Sequence, residues 1–401
     1  MALSCACARS GDFETMIGKM TPLKAICGLL CLLVLASNLW SMSRWSEARG
    51  VYDDICYLRQ AHLFQRFGLS GFNTDISRDD DHYLASKLQE IGYPTWNEPL
   101  SAPCHNVMPA LKTFVIQYPP GTGLVMAMFP RGRQVVSLYA LASICVFGFA
   151  LVALVHARST LATLLAGVFG CLAIYLMINP SKASYSMAPT MVVCALTGFL
   201  TPHWLKPRRH RYNLWLTLGL GGLLGLSVNF RLPNLFLSAG YVVFILVALL
   251  SSRKLAVVAQ GALFTLAFVV GMAPTLISNA INAGSPLATT YGGQDLAPPE
   301  LSLYIILQYL ADTQFVLLAL AIAGTVHLLR AGKHGTHRVA LVTAINLAIN
   351  LAFFLSHPIF TPYYTIPVAM LSLWSLLFAW LMQDAETVED GLAGQVADAR
   401  S

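Results

Sequence analysis

Charge is scarce in this sequence. Only 11% of its 401 residues are Asp, Glu, Lys or Arg, while 56% are hydrophobic and the mean hydropathy is +0.62. Soluble domains carry about twice that share of charge, so a soluble globular protein is excluded. There is no Walker loop, no zinc-ligand spacing and no nucleophile elbow, which removes the usual signatures of nucleotide hydrolysis, zinc chemistry and serine hydrolysis. No charged residue falls in the middle of a long apolar run, where ion-coupled transporters usually keep one; only neutral groups such as Asn346 and Asn350 occur there. Gly219, Gly221, Gly222 and Gly225 lie inside an apolar run and follow no strand. Close helix packing accounts for them better than a dinucleotide loop does.

What is present is a series of apolar stretches of the length needed to cross a bilayer, about 17 to 25 residues for roughly 30 Å of hydrocarbon. They recur near 22–43, 134–155, 160–178, 186–201, 213–230, 233–250, 255–274, 313–329, 339–356 and 363–382, the fourth being the shortest. This pattern predicts an all-α integral membrane protein with about ten transmembrane helices. It forms one polytopic unit over residues 1–382, followed by a disordered cytoplasmic tail, 383–401. The first stretch reads as an uncleaved anchor rather than a signal peptide. With both termini cytoplasmic, the short inner loops hold Arg158; Lys206, Arg208, Arg209 and Arg211; Arg253 and Lys254; and Arg330, Lys333 and Arg338. The short outer loops hold only Lys182 and Arg231, as the positive-inside rule requires. The net charge of +6 therefore reports topology rather than nucleic-acid binding.

The large outer loop, 44–133, is the one substantial soluble portion. Asp53 and Asp54 open it, and Ile55, Leu58, Ala61 and Phe64 then form an apolar stripe that ends at Gly68. The spacing predicts a helix lying on the membrane, with Asp53 as its cap and the carboxylates in its first turn. The run 119–130 is too short to span and reads as interfacial or re-entrant. The second long outer segment, 275–312, is turn-rich, and its end, 301–310, has the character of another interfacial helix. Cys56 and Cys104 share the first loop and could be a disulfide or two free thiols. Asp79, Asp80, Asp81 and His82 read as a solvated acidic turn rather than a metal site.

In this order, Val51-Tyr52-Asp53-Asp54 before a helix and Tyr118-Pro119-Pro120-Gly121 before a short apolar helix resemble the GT-C superfamily of polyprenyl-phosphate-sugar glycosyltransferases. Asn229-Phe230-Arg231-Leu232-Pro233 at an outer span end, Asn279 with Gly284-Ser285-Pro286, and Tyr363-Tyr364-Thr365-Ile366-Pro367 extend the likeness. The nearest group is that of protein O-mannosyltransferases, aminoarabinose transferases and rhizobial galacturonosyltransferases. The resemblance implies an inverting transfer of sugar from a polyprenyl-phosphate donor to a lipid, glycan or protein acceptor. That transfer would occur on the periplasmic side of a bacterial inner membrane, with no metal and no cofactor, the lipid-linked sugar being a substrate. It casts Asp53 as the base, with Asp54 able to exchange roles with it, and Arg231, then Lys182, as partners of the donor phosphate. Tyr118, Pro119, Pro120, Gly121, Asn279, Tyr291, His357 and Tyr363 would shape the substrate pocket. The family often has an arginine where this chain has Tyr363, which leaves more of the phosphate to Arg231 or to a cation such as His357.

Two other readings stay open from residues alone. The aspartates can serve only as helix caps, and Arg231 can be an interfacial arginine reaching headgroups, in which case the chain is a membrane scaffold. A transporter or lipid flippase without ion coupling is the second.

Overall fold

The computed structural model describes residues 21–47, 52–177, 184–206, 210–252, 254–292, 298–332, 334–357, 359–361 and 363–398. Each of the ten segments expected to span carries a helix, because a chain in hydrocarbon must satisfy its own backbone. They are α1 (Pro22–Ser43), α5 (Gln134–His156), α6 (Thr160–Tyr175), α7 (Met187–Leu205), α8 (His210–Val228), α9 (Ala239–Ser252), α10 (Leu255–Ala283), α12 (Thr313–Ala331), α13 (His334–Ser356) and α14 (Ile366–Asp398). Among the described residues seven are long and apolar enough to cross a membrane, α9 with the 3-10 turn Leu232–Ser238 before it; Thr160–Tyr175 and Asn213–Val228 are apolar but shorter, and α7, 19 residues long, falls short in hydropathy. Seven crossings, not ten, thus rest on length and hydropathy. The protein is a multi-pass, all-α membrane protein.

Burial decides which helices face lipid. The apolar part of α14, Ile366–Ala385, is 72% buried and that of α10 only 17%, so α14 is the central post and α10 lies at the edge. Trp374 and Phe378 of α14 are enclosed by Phe149, Phe169 and Phe199 from α5, α6 and α7. The glycines of α8 act as expected: a Cβ on Gly221 would meet the Phe264 carbonyl oxygen at 2.5 Å, and one on Gly225 the Phe268 oxygen at 2.1 Å. Asn346 and Asn350 are spent on helix ties. Asn346 Oδ1 accepts the Gly240 N–H, and Asn350 Nδ2 donates to the Phe236 carbonyl at 2.9 Å.

The soluble portion differs from its sequence reading in several ways. Helix α2 (Ile55–Phe67) ends at Gly68, as expected, with φ +56. It leaves no face open as an amphipathic stripe would, since every residue from Ile55 to Phe64 is buried. Its cover is a short helix, α3 (Tyr83–Glu90), the antiparallel hairpin β1 (His105–Met108) and β2 (Thr113–Ile116), and α4 (Gly121–Met126). Its N-cap is Asp54, not Asp53, and Asp54 makes no capping bond. Cys56 and Cys104 are joined in a disulfide that pins α2 to the hairpin. Arg59, fully buried, binds the carbonyls of Thr74 and Asp75 at 2.7 and 2.8 Å and the Nε2 of His105 at 3.0 Å. His105 Nδ1 donates to the Pro103 carbonyl at 2.7 Å, so Nε2 is the acceptor. Burial, reinforced by the Arg59 charge, lowers the His105 pKa to about 3, and the ring stays neutral.

The acidic turn is structural rather than merely solvated. Asp79 accepts the Leu84 N–H, Asp80 pairs with Arg66, and Asp81 with His62. Helix α10 continues to Ala283, so Asn279 is helical, and the second outer segment begins later than expected. Its end folds as α11 (Leu303–Ala311). The tail expected to be disordered from 383 remains helical to Asp398.

Candidate functional site

The site forms where five helix ends meet. Asp54 stands at the start of α2, where the helix dipole favours a carboxylate, and is 1% exposed. Its Oδ1 accepts the N–H of Tyr185 at 3.1 Å, just before α7. Arg231 follows α8 as the extended N-cap residue of the 3-10 turn Leu232–Ser238, which has Pro233 in its first turn. It is 6% exposed; its Nη1 reaches Met187 Sδ at 3.0 Å, and its guanidinium lies 5.0 Å from the Tyr363 ring centre and 5.3 Å from that of Tyr364. One short stretch, Tyr185–Met187, therefore touches both the carboxylate and the guanidinium.

The turn carrying Arg231 is set by Asn229. Its Oδ1 accepts the Thr275 N–H at 2.9 Å and its Nδ2 donates to the Gly271 carbonyl at 2.7 Å. It thereby bridges the pair that an i→i−4 bond of α10 would join, beside Pro274, where proline disturbs that ladder. The Asn229 carbonyl in turn accepts the Gly121 N–H at 2.8 Å, and a Cβ on Gly121 would meet the Asn229 Cβ at 2.6 Å. The Tyr118 to Gly121 segment is thus seated on the Arg231 turn, with Pro119 and Pro120 buried beneath. Tyr118 stacks on Tyr57 at 5.2 Å, meets Tyr291 edge-on at 6.0 Å, and is fixed by Gln60 Nε2 on its carbonyl at 2.8 Å.

Burial pushes Tyr57 up to about 12, against the hydroxyls of Ser186 and Ser184. The Tyr57 phenol therefore stays neutral at physiological pH.

Beside Arg231 lies a cavity of about 300 Å³. Leu232, Pro233, Leu235, Phe236 and Phe353 form its apolar wall, and Tyr291, His357 and Tyr364 its polar rim. Leu235 is 41% exposed, so the wall reaches the molecular surface. His357 stacks on Phe353 at 5.8 Å.

The structure therefore gathers Asp54, Tyr118, Pro119, Pro120, Gly121, Tyr291, Arg231, His357 and Tyr363. Asn279 is not drawn in: its Nδ2 faces the Pro286 carbonyl at 3.4 Å, closing its own helix-end turn. Lys182 lies outside the described residues. Asp53 is described by its backbone alone, in the 3-10 turn Tyr52–Asp54, and its side chain lies outside the description. Tyr57, Tyr185 and Met187 were missed; only for Tyr57, one turn along α2 from Asp54, was there a signal in the helix period. Among the described residues, one His/Cys/Asp/Glu group is tight enough for a metal: Cys56, Cys104 and His105. Its two sulfurs are already bonded to each other. No protein-family model matches the chain, and neither the curated proteins nor the solved structures yield a match.

Proposed function

We propose that this protein is an inverting membrane glycosyltransferase that moves a sugar from a polyprenyl-phosphate donor to a lipid, glycan or protein acceptor. In this reading the ten helical segments all cross the membrane, both termini are cytoplasmic, and the site faces the periplasm of a bacterial inner membrane. The observation that carries it is the convergence of buried Asp54 and buried Arg231 on Tyr185–Met187, beside an apolar cavity that reaches the molecular surface.

The acceptor oxygen attacks the anomeric carbon as its proton passes to the aspartate pair, and the bond from that carbon to the phosphate oxygen breaks. The lipid phosphate leaves with the electron pair and a second negative charge, which Arg231 meets with a planar fork suited to phosphate oxygens. The rings of Tyr363 and Tyr364 hold the guanidinium without neutralising it. Where the family often carries an arginine, Tyr363 thus acts as a platform for the one that remains. The apolar cavity takes the first units of the lipid, and the Tyr57, Tyr118 and Tyr291 rings offer flat surfaces to the sugar.

The test is incubation of purified protein with a panel of polyprenyl-phosphate sugars, reading release of the lipid phosphate. Turnover with at least one donor, lost in Asp54→Asn and Arg231→Gln, is expected. Inactivity across the panel, with sugar movement in liposomes, would place the protein among transporters instead.

A further inference from the structure

A second cavity, of about 260 Å³, opens on the soluble portion between the 3-10 turn Ile76–Arg78 and α3. It shares no lining residue with the cavity beside Arg231. Its floor is apolar, made by Ile76, Leu84, Ala85 and Leu88, and the Trp96 indole forms one wall, 38% exposed. Around the rim stand Ser77, Asp79, Asp80 and His82.

The rim carboxylates are already paired. Both Asp79 oxygens accept the Leu84 N–H, at 3.0 and 3.1 Å, with Arg59 Nε 3.7 Å from Oδ1, and Asp80 is held in a fork by Arg66, with Nη2 to Oδ2 at 3.0 Å. The His82 backbone donates its N–H to the Asp79 carbonyl at 3.0 Å, in a left-handed conformation of φ +56. A purely apolar ligand would have no use for four polar groups at the mouth. A cation would need Asp79 and Asp80 to turn away from partners they already hold.

An indole wall over an apolar floor, rimmed by pre-oriented acceptors and donors, is the chemistry that binds a pyranose. The ring's C–H face stacks on the aromatic plane, while its hydroxyls donate to carboxylates and accept from hydroxyl and imidazole groups. We propose that this cavity is a docking subsite for a neutral saccharide. The volume suits a ring or two, being at or just under the ~300 Å³ lower bound of ordinary ligand pockets. The inference goes beyond the transferase reading and does not depend on it, because docking is measured with no donor present.

The experiment uses the full chain in lipid nanodiscs. Saturation-transfer NMR and calorimetry are run with cellobiose. Cellobiose should bind. Trp96→Ala should weaken binding about tenfold or more. Ala85→Phe, which fills the cavity from α3 without removing any polar partner, should do the same. Trp96 is exposed and Ala85 half-buried, so both variants should keep the parent melting temperature. Absence of cellobiose binding at about 10 mM would overturn the proposal, as would binding that survives both substitutions.

Discussion

Replacing Arg231 by glutamine isolates the charge on which the proposed chemistry turns. The donor carries one negative charge on its phosphodiester, and the departing lipid phosphate carries two, so a cation beside it stabilises the transition state more than the bound donor. Arg231 is 6% exposed, where screening is weak, and a unit charge about 4 Å away is worth about 4 kcal/mol at an effective dielectric of 20. Part of that is already realised with the donor bound. Loss of the guanidinium should therefore lower kcat by about 10²–10³, the range seen when one such donor is removed from an enzyme, while KM rises far less. Arg231→Lys keeps the charge but loses the fork and the flat contact with Tyr363 and Tyr364, so its loss should be closer to tenfold. Folding should be little affected. Among the described residues no ion pair involves Arg231, so the substitution removes a buried charge whose desolvation offsets the loss of its ring contacts. The assay is release of lipid phosphate under saturating and subsaturating donor, with a melting curve for each variant. A glutamine variant that keeps kcat within about twofold at a normal melting temperature would refute the reasoning.

Asp54→Asn keeps an oxygen for the Tyr185 N–H, so the variant should melt like the parent yet lose about 10²-fold or more in turnover, measured beside Asp53→Asn to apportion the base between them. Gly121→Ala drives a Cβ to 2.6 Å from Asn229; the expected cost is about 1–3 kcal/mol of stability, seen as a lowered melting temperature, together with loss of turnover because the Arg231 turn shifts. The folded-state pKa of His105 is near 3, below the ~6.5 of an unfolded histidine. Between these values the unfolded chain binds a proton that the folded one refuses. Stability should thus be complete above pH ~6.5 and fall as pH drops, by at most ~1.4 kcal/mol per unit. Melting curves from pH 7 to 4 should show that slope, reduced in His105→Gln.

The membrane class was legible because the cost of exposing apolar groups is a local property, summed over consecutive residues. For the same reason all ten helical segments could be located, and the glycines of α8 assigned to packing. The span count was less secure, since α6 and the apolar part of α8 fall short of the full crossing length. Helix α2 was found by its period, but its complete burial was not. Its polar residues Arg59, Gln60 and His62 each meet a partner outside the helix, which the helix period does not reveal. Burial, in turn, is what makes Arg59 and His105 a fixed pair.

The amino-acid sequence alone determined that the chain is a bundle of apolar helices with a soluble loop, and it set the residue types offered at each helix end. Only the tertiary structure decided which of those ends meet. Asp54 lies 131 positions from Tyr185, and Arg231 lies 44 from Met187, separations over which local propensity has no say. Their convergence follows from how α7, α8 and α14 pack, because side chains distant in sequence are brought together by helix contacts and not by spacing. The hairpin, the Cys56–Cys104 bond and the cradle of Tyr363 and Tyr364 beneath Arg231 arise from the same packing.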